Sequence, residues 1–96
     1  MLIIRETESY KRWFLKLRDL RAKARILVRV RRLSLGNFGD SKSLVSGVSE
    51  LRIRYGPGYR IYFTRRGDEV VVLLAGGDKS TQQKDSRNAK ELASEL

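Results

Sequence analysis

Neither cysteine nor histidine occurs anywhere in this chain of 96 residues. Together these absences exclude disulfide staples, thiol nucleophiles, ordinary zinc sites and imidazole acid–base chemistry. No run of about 18 apolar residues is present, so no segment is expected to span a bilayer. The opening stretch MLIIRETE lacks the basic, apolar and small-residue order of a secretory signal. With no thiol to oxidise, these features fit a cytoplasmic protein. Repeats, low-complexity tracts and linkers are missing too, which leaves one compact domain over residues 1–96.

Acidic residues are few: eleven Asp and Glu face twenty-one Lys and Arg, a formal charge of +10. So dense a positive field on one small domain is the electrostatic footprint of a polyanion partner. Nucleic acid leads on this ground, with an acidic membrane surface or a charge-capping acidic protein as the alternatives. At 41% hydrophobic residues the chain is globular rather than disordered, at the small end of what folds without staples.

Periodicity orders the elements. Leu2–Arg5 is a short β-prone run, expected as an edge strand. Thr7 offers a helix N-cap with Glu8 in the first turn, and Tyr10, Trp13, Phe14 and Leu17 follow as one apolar helical face. Asp19 is expected to cap a second helix from about Leu20 to Leu35, stopped at Gly36-Asn37. There Leu20, Ala24, Leu27 and Val28 join Ile26, Val30 and Leu33 in a broad apolar arc. Arg21, Arg25, Arg29 and Arg32 fall within about 80° of each other, a basic stripe on the far side. That stripe is either a solvated face or a surface that steers phosphate or meets a protein partner.

Residues 36–42, GNFGDSK, read as a loop, and from Ser43 to Ala75 the period becomes that of strands. Leu51, Ile53 and Tyr55 share one face of their strand while Glu50, Arg52 and Arg54 take the other. Gly56-Pro57-Gly58 closes a hairpin, with Tyr59, Ile61 and Phe63 turned inward. If Tyr55 pairs with Tyr59, then Arg54 faces Arg60, Arg52 faces Tyr62, and Glu50 faces Thr64, all on one sheet face. After a turn at Arg66-Gly67, EVVVLLA at 69–75 is apolar on both faces, the pattern of a buried central strand. Gly76-Gly77 is read as the turn ending it. Ser80 with Gln83 makes a capping-box pattern for a last helix, whose apolar residues are Ala89, Leu92, Ala93 and Leu96. Helices segregate from strands, which argues α+β with the helices on one sheet face.

Opposed arginines repel across a strand pair. Their placement suits a face that is wet when free and filled by phosphates when bound, since arginine grips phosphate with a planar fork. Tyr62 on that face, and Tyr59 or Tyr55 near the turn, could stack an extruded base. RNA carries its own nucleophile, the 2′-OH. An enzyme need only deprotonate it, stabilise the phosphorane and protonate the leaving oxygen. Glu50 or Asp78 is a candidate base, and Arg52, Arg54, Arg60 and Lys79 are candidates to neutralise the transition state. The general acid is open between Lys79 and Tyr62. No carboxylate cluster calls for a metal, and KST at 79–81 lacks the glycine pattern of a phosphate loop.

The segments LRDLRAKARI, LGNFGDSKSLVSGVSELRIRYGPGYRIYF and LLAGGDKSTQQKDSRNAKELA resemble the RelE/ParE superfamily of type II toxin–antitoxin toxins. Within it they are most similar to the HigB-like addiction module killer proteins of the phage-derived branch. The resemblance implies a RelE-like α+β fold: an antiparallel-rich sheet of about four strands, two N-terminal helices on one face and a short C-terminal helix. It implies a toxin that enters the ribosomal 30S A site and cuts mRNA without metal or cofactor. It also implies neutralisation by a helix-turn-helix, HigA-like antitoxin. By position, Arg60 matches the family's GYR arginine, Arg52 and Arg54 its basic strand, and Lys79 its basic residue after the last strand. Glu50 falls where some relatives carry a catalytic carboxylate, and Arg21, Arg25 and Arg29 are left as substrate-steering candidates. Asp78-Lys79-Ser80-Thr81 stands where several relatives carry a His-Tyr pair. That departure leaves the ParE-like alternative, a gyrase inhibitor that cuts nothing, and that of a basic RNA-binding module without chemistry.

Overall fold

The computed structural model describes all of residues 1–96. In chain order the elements are β1 (Ile3–Glu6), α1 (Glu8–Lys16), α2 (Leu20–Ser34), β2 (Ser41–Ser43), β3 (Val48–Ile53), β4 (Tyr59–Arg66), β5 (Val70–Asp78) and α3 (Gln82–Ser94). A single 3₁₀ turn, Lys79–Thr81, leads into α3. The sheet runs β1-β5-β4-β3-β2, with β1 parallel to β5 and every other pair antiparallel. The α+β class and the RelE-like arrangement are as expected. The strand count is five rather than about four, because Ser41 and Lys42, read as the end of a loop, join Ser43 in pairing with Leu51–Ser49 as a polar edge strand.

Both N-terminal caps form at the expected residues. The Thr7 hydroxyl accepts from the Tyr10 amide at 3.1 Å and donates to the Leu74 carbonyl at 2.6 Å, so one side chain starts α1 and pins it to β5. Asp19 accepts from the amides of Arg21 and Ala22, two of the donors a helix start leaves free.

The core has two layers, one on each face of the sheet. Under α1 and α2 lie Tyr10, Ile26, Leu33, Leu51, Ile61, Phe63 and Leu73, with Trp13, Phe14 and Leu17 packed against them. Under α3 lie Val48, Tyr62, Val72, Leu74, Ala75 and Ala89. Helices therefore cover both faces, which corrects the one-face expectation. It also accounts for EVVVLLA, since a strand sandwiched between helices needs apolar side chains in both directions.

Strand β5 does not end at Gly76-Gly77 but runs through both glycines to Asp78. A Cβ on Gly76 would overlap the Trp13 indole, and one on Gly77 would overlap the Asp85 carboxylate. The glycines are there for close approach, not for turning. Nor does Ser80 form the expected capping box. Asp78 caps the 3₁₀ turn instead, accepting from the Ser80 amide at 2.8 Å, and α3 starts one residue late, at Gln82.

On α2 only half of the apolar arc packs. Within it Ile26 and Leu33 are buried and Val30 is half-buried, joined by Ala22 from outside the arc, whereas Leu20, Leu27 and Val28 remain 77%, 57% and 48% exposed.

Candidate functional site

The hairpin that carries the arginines closes with a longer loop than the glycine pattern suggests. Arg52 pairs with Arg60, Glu50 with Tyr62 and Ile53 with Tyr59, two residues out of the expected register. The loop is Arg54-Tyr55-Gly56-Pro57-Gly58, tightened by the Gly58 amide donating to the Tyr55 carbonyl, with φ of 57° and 79° at its two glycines. A slip of two preserves which residues share a face. Glu50, Arg52, Arg60 and Tyr62 thus all look toward the α3 side.

What that face looks like differs from an open basic sheet. Glu50 is 1% exposed, and its Oε1 lies 2.6 Å from Arg60 Nε. The Gln82 amide, from the first turn of α3, donates to the same carboxylate at 3.1 Å. The Tyr62 hydroxyl donates to the Gln82 carbonyl at 3.3 Å. Strands β3 and β4 supply the charges, and the start of α3 closes over them. Arg60 is therefore the counterion of a buried acid in the free protein. Arg52, directly opposite it, is half-buried, and its Nε has no hydrogen-bond partner. Arg60 Nε touches Glu50 without the alignment of a hydrogen bond.

Tyr62 is wholly buried, and burial pushes its phenol well above the usual tyrosine range. It offers no ring face to a base and is a poor proton donor. Tyr59 is 9% exposed and meets Trp13 edge-on at 6.3 Å, so it belongs to the core. Asp78 spends its carboxylate on the Ser80 amide and hydroxyl. Lys79 is exposed, and its stem lies against the hairpin turn at Gly58. Lys79, Lys84 and Arg87 line a shallow cleft of about 530 Å³ beside this turn.

Arg54 leaves the group altogether. It lies beyond β3 and pairs with Asp40 at 2.8 Å, a hydrogen bond that holds the Asp40 carboxyl below its ordinary range. With Asp40 it forms one wall of a groove of about 760 Å³ along α2. Arg21, Arg25, Arg29 and Arg32 form the other wall, with Ala24, Val28 and Ile53 between. Arg29 is committed to the fold: it donates to the Arg52 carbonyl at 2.5 Å and the Asp40 carbonyl at 3.2 Å. Arg25 stacks over the Tyr55 ring at 4.6 Å, which closes that face of Tyr55. The sequence candidates thus divide between two sites. Arg52, Arg60, Glu50, Tyr62 and Lys79 belong to the α3 side, and Arg21, Arg25, Arg29 and Arg54 to the α2 side.

Three residues of the α3 side were missed from sequence. Gln82 orients Glu50, and Thr81 donates to Asp85 at 2.5 Å. Asp85 fills the space over Gly77, the residue paired with Arg60. The available signal was Gly77 itself, since a bare glycine within a strand marks a group coming close to the backbone.

Residues 12–96 match the family of phage-derived Gp49-like proteins. The chain is also 53% identical over 93 residues to an uncharacterized protein of Haemophilus influenzae, a match covering 97% of this chain and 94% of that protein.

Proposed function

This chain belongs to the phage-derived Gp49-like family, a RelE/HigB-like toxin family of toxin–antitoxin systems, and on that premise we propose that it is an mRNA endonuclease acting on the ribosome. The observation that carries this reading is the cross-strand pair of Arg52 and Arg60, with Lys79 beside the same hairpin turn. Two like charges set opposite each other oppose folding unless an anion joins them. Glu50 neutralises only one, and Arg52 keeps an unused donor.

A phosphodiester laid there would receive the planar forks of Arg52 and Arg60, with Lys79 as a mobile third cation. These groups stabilise the negative charge that builds on the phosphorane as the 2′-oxygen attacks phosphorus. The bond to the 5′-oxygen breaks, leaving a 2′,3′-cyclic phosphate and a 5′-hydroxyl. Glu50, the carboxylate paired with Arg60, is the base proposed for the 2′-OH proton. Lys79 returns a proton to the leaving oxygen.

The covered state of Glu50 and Tyr62 favours a second reading, a toxin of the ParE type that binds gyrase and cuts nothing. One experiment separates the two. Messenger ends are mapped on translating ribosomes after the protein is induced in growing cells, with Arg52→Ala and Lys79→Ala as controls. The endonuclease reading expects new ends within the ribosome-bound codon, reduced at least tenfold by either substitution. Intact messages during growth arrest, with gyrase supercoiling blocked in vitro, would establish the second reading instead. A cognate antitoxin is expected to suppress the arrest in either case.

A further inference from the structure

The Arg52–Arg60 rung continues onto β5, where Arg60 pairs with Gly77. Residues directly opposite on neighbouring strands point to the same face, so Gly77 leaves room beside Arg60 on the α3 side. The Asp85 carboxylate takes that room: a Cβ on Gly77 would overlap Asp85 Oδ2. The Thr81 hydroxyl donates to the same oxygen at 2.5 Å, and no lysine or arginine forms an ion pair with Asp85. On the next rung Tyr62 pairs with Glu50 on one side and Ala75 on the other. Two arginines are thus flanked by two carboxylates. Glu50 is sealed under α3, whereas Asp85 is only half-buried. The Tyr62 phenol between them, raised chiefly by burial, is raised further by Glu50 and by Asp85. A face built only to attract phosphate gains nothing from the second acid.

We propose that Asp85 biases this face toward phosphodiesters, the interior links of a nucleic-acid chain, and against phosphomonoesters such as chain ends and free nucleotides. This role rests on the phosphodiester site proposed above and adds the residue that sets its charge preference. A phosphodiester carries one negative charge, whereas a phosphomonoester carries close to two above its second pKa of about 6. Both arginines are balanced by carboxylates, so the excess positive charge at the hairpin turn comes from Lys79. That matches one phosphate charge and not two. A like charge beside a binding site rejects the wrong ligand at some cost to the right one.

The size of the bias follows from the sheet. Strands lie about 4.8 Å apart, so a phosphate over the Arg52–Arg60 pair sits about 7 Å from the carboxylate over Gly77. At that distance in water, one unit charge weakens the binding of another by about threefold. A doubled charge squares the factor, to about ninefold. Asp85 therefore shifts the ratio of the two affinities by about threefold in favour of the diester.

The test uses the full chain at pH 8 and fixed salt, with two probes that lack a 2′-OH and so cannot be cut. One is a 2′-deoxy dinucleoside monophosphate, the other a 2′-deoxynucleoside 3′-monophosphate. NMR titration of the Arg52 and Arg60 side-chain N–H signals gives both affinities. Asp85→Asn removes the charge and keeps an oxygen for Thr81, and it should tighten the diester about threefold and the monoester about ninefold. Asp85→Ser, a shorter side chain that still clears Gly77, should move the ratio in the same direction. Asp68→Asn makes an equal change in net charge on the exposed turn after β4, and should leave the ratio unaltered. The role of Asp85 alone is overturned if both probes shift Arg52 and Arg60 but the ratio is the same in the parent and both Asp85 variants. It is likewise overturned if Asp68→Asn moves the ratio equally. Absence of shifts at Arg52 and Arg60 with either probe overturns the phosphodiester site itself, and the role of Asp85 with it.

Discussion

Replacing Arg60 with alanine tests the central geometry most severely. Seen as a member of a wet arginine face, Arg60 should be removable with no loss of stability. The structure instead makes it the charge partner of Glu50, which is 1% exposed and lies 2.6 Å from it. Truncating one member of a buried pair strands the other, at a cost of about 3–5 kcal/mol. A domain of this size has a total stability of about 5–15 kcal/mol, so the variant should lose a large part of it. Urea unfolding at pH 7 measures this directly: the midpoint should fall while the slope stays near the parent value. The diagnostic arm is the double variant Arg60→Ala with Glu50→Gln. Removing the stranded charge should recover at least about 2 kcal/mol, and the Gln82 amide still has an oxygen to bind. A loss below about 1 kcal/mol for Arg60→Ala, or no coupling in the double variant, would refute the buried pair. It follows that reduced toxicity of Arg60→Ala would say little about chemistry, which is why Arg52 and Lys79 are the better functional probes.

Gly76→Ala should cost at least about 1–3 kcal/mol, because the new Cβ displaces the Trp13 ring; a shift in emission of this single tryptophan reports it. Tyr62→Phe should cost about 1 kcal/mol at neutral pH from the lost bond to Gln82. Burial raises the Tyr62 phenol in the folded state, so its contribution is complete below the unfolded value of about 10 and is lost as pH rises above it. Urea midpoints between pH 8 and 11 should therefore fall less steeply in Tyr62→Phe than in the parent. Asp40 is shifted the other way by Arg54, so their pair stabilises above the unfolded carboxylate value of about 3.9 and is lost as pH drops below it. Asp40→Asn should lower neutral-pH stability slightly and flatten the acid limb of a pH–stability profile to the same small extent, since the pair is solvent-exposed.

Much of the fold was legible because periodicity is a local property. Thr7 and Asp19 cap where their side chains can reach free amides, and that requires only the next three residues. Alternation along 50–63 correctly groups Glu50, Arg52, Arg60 and Tyr62, because strand parity survives any even slip. Register itself was not legible. Gly56 and Gly58 permit a three-residue or a longer loop, and the choice follows from packing Ile53 and Tyr59 together in the core. The α2 arc was over-read for a related reason: helical pitch says which residues share a face, not how wide a strip the sheet covers.

Composition and periodicity alone decide that this chain is a basic α+β domain, free of cysteine and histidine, with arginines aligned on a hairpin face. They cannot decide what lies over that face. The covering helix is sixteen or more residues further along the chain than the strand it shields, and Gln82 and Asp85 carry no local mark of the role. Tertiary packing buried the candidate base Glu50 against Arg60 and sealed Tyr62 beneath α3. It also moved Arg54 to the α2 groove. The physical reason is common to all three. A side chain's charge is written in the sequence, but its access to water, and so its chemistry, depends on neighbours that only folding brings near.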